Sequence, residues 1–166
     1  YEVQSLDLDR DVAWLTPTES DHQTRVQYEE SMTIEEDVAT KPLATRDDVT
    51  VHFADVTRRK QVTGFQRRDH RTGEILSEES LDLPETTLST QALYVTLPPG
   101  LERLMQTMSG SFEGGLHAVQ HALVATFPLG ILCDRRDVGS VSTTDHPQAE
   151  TSALFIYDSY RGGVGL

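Results

Sequence analysis

The chain has 166 residues, 37% of them hydrophobic, and its 27 acids against 14 Lys and Arg give a formal charge of −13. That length fits one domain or two small ones sharing a core, and the apolar content with a mean hydropathy of −0.41 excludes a disordered chain. No run approaches the roughly 18 apolar residues of a membrane-spanning helix, and the start has neither a basic segment nor an apolar signal region, so no membrane partner is expected.

Residues 1–97 read as mostly strand. Tyr1 to Leu6 and Val12 to Leu15 are short alternating segments separated by Asp9-Arg10-Asp11, a turn-like cluster. Residues 35–48 are acidic and contain Pro42, which predicts a loop or short helix. The longest strand pattern runs from Val49 through Phe53 and Val56 to Val62 and Phe65. Asp69 to Gly73 then makes a turn and Glu74-Ile75-Leu76 begins the return, a long hairpin that invites a bulge. Ser89 to Leu97 is a further strand.

From Pro98 the pattern changes, and residues 98–166 form a helical and strand part. Pro98-Pro99 suits a helix start, with Leu101, Leu104, Met105 and Met108 at helical spacing. A second helix covers about residues 112–127. Phe112, Leu116, Val119, Leu123 and Phe127 form one stripe and Ala118, Ala122 and Ala125 another, which predicts a central, buried helix. Gly114-Gly115 weakens its first turn and moves the expected regular start to Leu116. Val138 to Val141 and Ala153 to Tyr157 are strands flanking a polar loop. The fold class is therefore α+β: an antiparallel, hairpin-rich β region, a helical pair, then further strands.

Only Lys41 and Lys60 of the 14 bases are lysines. An acidic, lysine-poor surface stays hydrated where concentrated salt screens repulsion, and we read it as halophilic adaptation; an ordinary acidic protein has the same balance. The single cysteine, Cys133, cannot form an internal disulfide, which points to a reducing cytoplasm. Tyr1 at the start and Leu166 inside a glycine-rich turn lead us to expect both ends to lie within a longer protein.

Motor chemistry is missing from the sequence. A phosphate-cradling loop needs Gly-Lys-Ser/Thr, and no Gly-Lys pair occurs; no Asp-Glu dipeptide occurs either, which removes an Asp-Glu-x-His box. This chain is therefore not expected to hydrolyse ATP.

Four features carry candidate chemistry. His117 and His121 stand at i and i+4 on the second helix with Glu113 one turn earlier, a spacing that suits a shared metal; the alternative is two core histidines satisfied by internal hydrogen bonds. Cys133-Asp134 follows the apolar run Pro128 to Leu132 and is either a thiolate ligand or a small buried hydrophobe. Asp158, at a strand end before Arg161-Gly162-Gly163-Val164-Gly165, is a candidate general base or a turn cap; the glycines suit a phosphate cradle or a tight turn. Finally, Arg58, Arg59, Lys60, Arg67, Arg68 and Arg71 put six of the 14 bases on the long hairpin. They either track a nucleic-acid backbone or pair with acidic neighbours.

The series His117-Ala118-Val119-Gln120-His121-Ala122-Leu123, Pro128, Cys133-Asp134-Arg135, Val138-Gly139, Val141-Ser142, His146-Pro147, Phe155 to Asp158 and Gly162 to Leu166 resembles the C-terminal zinc-binding domain of mitomycin repair factor A-type helicases. These are superfamily 2, DEAD/DEAH-like, ATP-dependent DNA helicases linked to DNA repair. The β-rich part is similar more loosely, through Leu81 to Pro84 and Thr90 to Leu93. The resemblance implies that Cys133 is one of four cysteines on a zinc, the other three lying past Leu166, so that zinc belongs to the longer protein and is not expected on this chain. It implies ATP and magnesium on separate motor domains of the same polypeptide, with DNA as partner. The chain departs from the family at Gln120, where Glu is common, at Arg136, where Trp is common, and at Arg161, where Pro is common. The resulting expectation is an accessory, non-motor piece of a DNA-repair helicase that helps bind or position DNA. A small hydrolase using His117, His121, Glu113 and Asp158, or a protein-interaction domain, are the other readings.

Overall fold

The computed structural model describes residues 1–7, 9–108 and 110–160. Among these residues eight strands and two α-helices follow the order β1 (Glu2–Asp7), β2 (Val12–Thr16), β3 (His22–Leu43), β4 (Arg46–Asp69), β5 (Ile75–Ser80), β6 (Thr86–Thr96), α1 (Gly100–Thr107), α2 (Phe112–Thr126), β7 (Val138–His146) and β8 (Thr151–Asp158). This is the expected α+β class, hairpins first, then a helical pair, then strands. Two compact units interleave along the chain: Tyr1–Glu29 with Val62–Pro84, and Glu30–Gln61 with the chain from Glu85 onward. Strands β3 and β4 are long enough to contribute to both.

In the first unit, β1 and β2 form an antiparallel hairpin with a register shift between Val3 and Ser5. Asp7 Oδ1 accepts from the amides of Asp9 and Arg10, both at 3.1 Å, which closes its turn. The end of β4 pairs with β5 from Gly64↔Ser80 to Arg68↔Ile75, and the expected irregularity falls between Arg67 and Arg68. Asp69 organises this second turn. Its Oδ1 accepts from the amides of Arg71 (2.8 Å) and Thr72 (2.7 Å), and Gly73 takes φ 73°, a left-handed value that glycine adopts without a Cβ clash. Those two amide donors hold the Asp69 carboxyl below its usual range.

In the second unit the strand order is β3-β4-β6-β8-β7. β4 and β6 run in unbroken antiparallel register from Thr50↔Thr96 to Lys60↔Thr86, and β8 lies antiparallel between β6 and β7. One face buries Met32, Ala54, Val56, Ala92, Tyr94, Ala153, Phe155 and Tyr157. The other buries Leu154, Ile156 and Val138 beneath Leu116 of α2. β8 is thus covered on both sides, which is why its sequence reads as a continuous apolar run rather than an alternation.

Edge strand β3 returns to the β7–β8 turn. Gln148 Oε1 accepts from the Ile34 amide (2.8 Å), Gln148 Nε2 donates to the Ile34 carbonyl (2.7 Å), and the His146 ring nitrogen Nε2 meets the Met32 carbonyl at 2.9 Å. Side chains therefore take the place of a missing strand partner along this edge.

Three expectations need correction. Residues 35–48 are strand up to Leu43 and again from Arg46, because cross-strand partners override the acidic composition: the Tyr94 hydroxyl donates to Asp37 at 2.9 Å, and the rings of His52 and Tyr94 stack at 4.2 Å. Helix α2 begins at Phe112, not Leu116, since Ser111 Oγ caps it by accepting from the Gly114 amide at 3.1 Å. Nor is α2 central: only Leu116 and Gln120 are buried on it, and Val119 stays 52% exposed. It is a covering helix with one face on the sheet.

Candidate metal corner and nucleic-acid interface

Cys133 sits on the loop between a 3-10 turn at Phe127–Leu129 and another at Arg135–Asp137. Its amide donates to Ile131 O at 2.8 Å. Asp134 caps the second turn, and its own amide donates to Asp137 Oδ2 at 2.8 Å, a reciprocal capping box. The Asp137 carbonyl then accepts from the Ser159 amide at 2.8 Å, beside the Val138↔Asp158 pair. The cysteine loop is thereby tied to the strand end that leads to residues 161–166.

The Cys133 side chain packs beside Leu116, Val138, Leu154 and Ile156. Burial pushes its thiol up from the ordinary value, and the carboxylates of Asp137, Asp134 and Asp158 push the same way. Such surroundings make a poor free nucleophile. They would favour a bound cation, whose charge reverses that penalty. Among the described residues no group of three or more His, Cys, Asp or Glu side chains gathers around a common point. The described residues alone therefore do not make a structural zinc site, which takes four ligands. Gly162 and Gly163 lie outside the described residues.

The two histidines of α2 are not core residues. Both are exposed, with their Nε2 atoms 3.1 Å apart and their rings edge-on at 4.4 Å. Gln120, between them in sequence, is the buried member. Its Nε2 donates to the carbonyl (3.0 Å) and hydroxyl (2.8 Å) of Ser140, and its Oε1 accepts from Ser142 Oγ at 2.6 Å. In sequence Gln120 stood out only as a departure from a family pattern; Ser140 and Ser142, alternating on β7 toward the helix, were the available signal for its role. His117 and Glu113 line one surface groove with Ser142 and Thr143. Asp158 is buried elsewhere, in a small cavity with Phe53, Gln91, Phe127 and Ile156. Its Oδ1 accepts from the Tyr160 amide at 2.9 Å, a turn cap. The four residues of the hydrolase reading do not meet in one pocket.

The basic residues divide by environment. Arg58 is only 20% exposed, is ion-paired with Glu30, and lies 5.5 Å over the Tyr157 ring. Arg59 is half-exposed, with Glu85 at 4.0 Å. Lys60 is half-buried at the end of the β4–β6 ladder. On the other unit, Arg67 pairs with Glu79 at 3.0 Å on the surface. Arg68 donates from Nε (3.0 Å) and Nη2 (2.6 Å) to Gln66 Oε1, a neutral acceptor, and Arg71 is exposed at the turn. Arg68 thus meets a neutral acceptor and Arg71 faces solvent at the hairpin end, while Arg58 is committed to the protein interior.

Residues 119–166 match the sequence model of the MrfA Zn-binding domain. Over its full length the chain is 28% identical to the uncharacterized ATP-dependent helicase YprA of Bacillus subtilis (strain 168), of which it spans 21%. A crystal structure of the DUF1998 helicase MrfA bound to DNA superposes on 99% of this chain with a TM-score of 0.68 at 25% identity, covering 21% of that protein. A second, of MrfA bound to DNA and AMPPNP, covers 98% of the chain and 19% of that protein with a TM-score of 0.58 at 26% identity. The chain spans about a fifth of the length of these relatives. Residues 119–166 are thus similar to the MrfA Zn-binding domain family, and the chain as a whole is similar in fold to a segment of the DUF1998 helicase MrfA.

Proposed function

We propose that this chain is an accessory, non-motor segment of an ATP-dependent DNA helicase that serves DNA repair, and that it helps hold or position DNA while motor domains of the same polypeptide use ATP and magnesium. The observation that carries this reading is the similarity in fold, across nearly the whole chain, to a helicase crystallised with DNA. Two further features support it. Among the described residues Arg68 bonds to a neutral acceptor and Arg71 is exposed at the β4–β5 hairpin, which fits side chains available to a phosphate backbone. Leu129 and Leu132 are almost completely exposed, which fits a surface covered by other parts of a larger protein. Cys133 supplies one corner of a tetrathiolate zinc whose other corners lie past Leu166; zinc there would cross-link the loop to the chain that follows β8.

The test is DNA binding by the full-length helicase as a function of salt. Replacing Arg67, Arg68 and Arg71 with Ala weakens binding with little sequence preference. It also flattens the log-log salt slope by about one for each phosphate that is no longer neutralised. An unchanged slope assigns these arginines to pairing within the protein and removes the hairpin from the DNA path.

A further inference from the structure

Gln120 is 8% exposed, and its amide orientation follows from its partners. The Ser140 carbonyl only accepts, so the group 3.0 Å from it is the Gln120 NH2 and the opposite atom is Oε1. Oε1 also only accepts, and His117 Nδ1 lies 3.3 Å from it. The neutral His117 imidazole in this contact therefore carries its proton on Nδ1 and presents a lone pair on Nε2. This is the arrangement in which a ligating imidazole is oriented by a carbonyl behind it. The second imidazole is one helical turn away, and its Nε2 stands 3.1 Å from that lone pair.

With His117 in that tautomer, the 3.1 Å contact has His121 donating Nε2–H to His117 Nε2. Moving that proton to Nδ1 of His121 frees a second lone pair, and small rotations of the two exposed side chains turn both toward one ion. An ion about 2.0–2.1 Å from both nitrogens would see them at an angle of roughly 95–100°, between octahedral and tetrahedral values.

We propose that His117 and His121 form a two-imidazole chelate for a late first-row divalent cation, with Gln120 as the positioning residue that fixes the His117 tautomer. Imidazole nitrogen suits zinc, nickel and copper and not magnesium or calcium. Two protein ligands leave the remaining positions to water, in the open groove that His117 and Glu113 line, so the ion is exchangeable. This site differs from Cys133 in ligand type and in the element that carries it, α2 rather than the loop after it, and it does not depend on the helicase reading.

The experiment uses the chain itself and Ni²⁺ as probe, competed against a chromophoric chelator. One Ni²⁺ is expected per chain. His117→Ala and His121→Ala each lower the affinity at least tenfold. Gln120→Ala keeps both imidazoles and lowers it by a smaller factor, with far-ultraviolet circular dichroism confirming that each variant is folded. Cys133→Ser leaves Ni²⁺ binding unchanged. Absence of binding by the unmodified chain overturns the proposal. So does binding that survives both histidine substitutions, or binding abolished by Cys133→Ser.

Discussion

Gln148 lays its side-chain amide along the backbone of Ile34, accepting from the amide at 2.8 Å and donating to the carbonyl at 2.7 Å. One glutamine thus does for edge strand β3 what a neighbouring strand would do. Gln148→Ala breaks both bonds, and because the site is exposed, water replaces them in part. The expected loss is about 1–2 kcal/mol, read from urea unfolding, with faster hydrogen exchange at the Ile34 amide. Unchanged exchange there would show that the seam is held by His146 and packing alone.

Tyr157 folds its ring over Gly139 on the adjacent strand. A Cβ at residue 139 would lie 2.3–2.6 Å from the Tyr157 ring carbons and hydroxyl. The ring has little room to yield, since Arg58 lies over it and its hydroxyl reaches Glu30 at 3.3 Å. Gly139→Ala should destabilise by about 1–3 kcal/mol, the usual cost of overpacking. A thermal midpoint equal to that of the unmodified chain would refute the packing.

Arg58 and Glu30 have side-chain exposures of 20% and 15%. Removing the arginine leaves a carboxylate with little water around it. The expected cost of Arg58→Ala is about 1–3 kcal/mol, below the range for a fully buried pair because solvent still reaches this one. Arg59→Ala, at a half-exposed pair 4.0 Å apart, should stay within roughly 0.5 kcal/mol of the parent. Equal effects of the two changes would mean that Arg58 is not committed to the interior.

Burial outweighs the attraction of Asp37 and holds the His52 pKa below its ordinary value. As pH falls the unfolded chain takes up this proton first. The contribution of His52 to stability is therefore complete above pH ~6.5 and is lost as pH drops through the lowered folded value. Urea midpoints at neutral and mildly acidic pH should fall less for His52→Gln than for the parent. A parallel decline in both would place the acid sensitivity elsewhere.

On the proposed reading, Cys133→Ser in the full-length protein should remove about one zinc per chain or sharply lower stability, because a structural site opened at one corner loses its metal. Metal analysis of the purified protein settles this. Full zinc retention with unchanged unfolding would leave Cys133 as a packing residue.

The sequence by itself determined the strand-rich first part, the β4–β5 hairpin with its Asp69–Gly73 turn, the helical pair and the apolar β8. Each of these rests on local periodicity or turn chemistry that acts within a few residues. The motif around Cys133 was legible only through its resemblance to a known family. What only the tertiary structure decided concerns partners distant along the chain. The acidic stretch after residue 34 becomes strand because His52 and Tyr94 lie beside it. The polar face of α2 became informative only when β7 placed Ser140 and Ser142 against Gln120, which buries that residue and leaves both histidines at the surface. Charge counting grouped six bases on one hairpin, but burial decided their roles, since a guanidinium beside Glu30 under little solvent is a structural ion and one bonded to a neutral amide keeps its field.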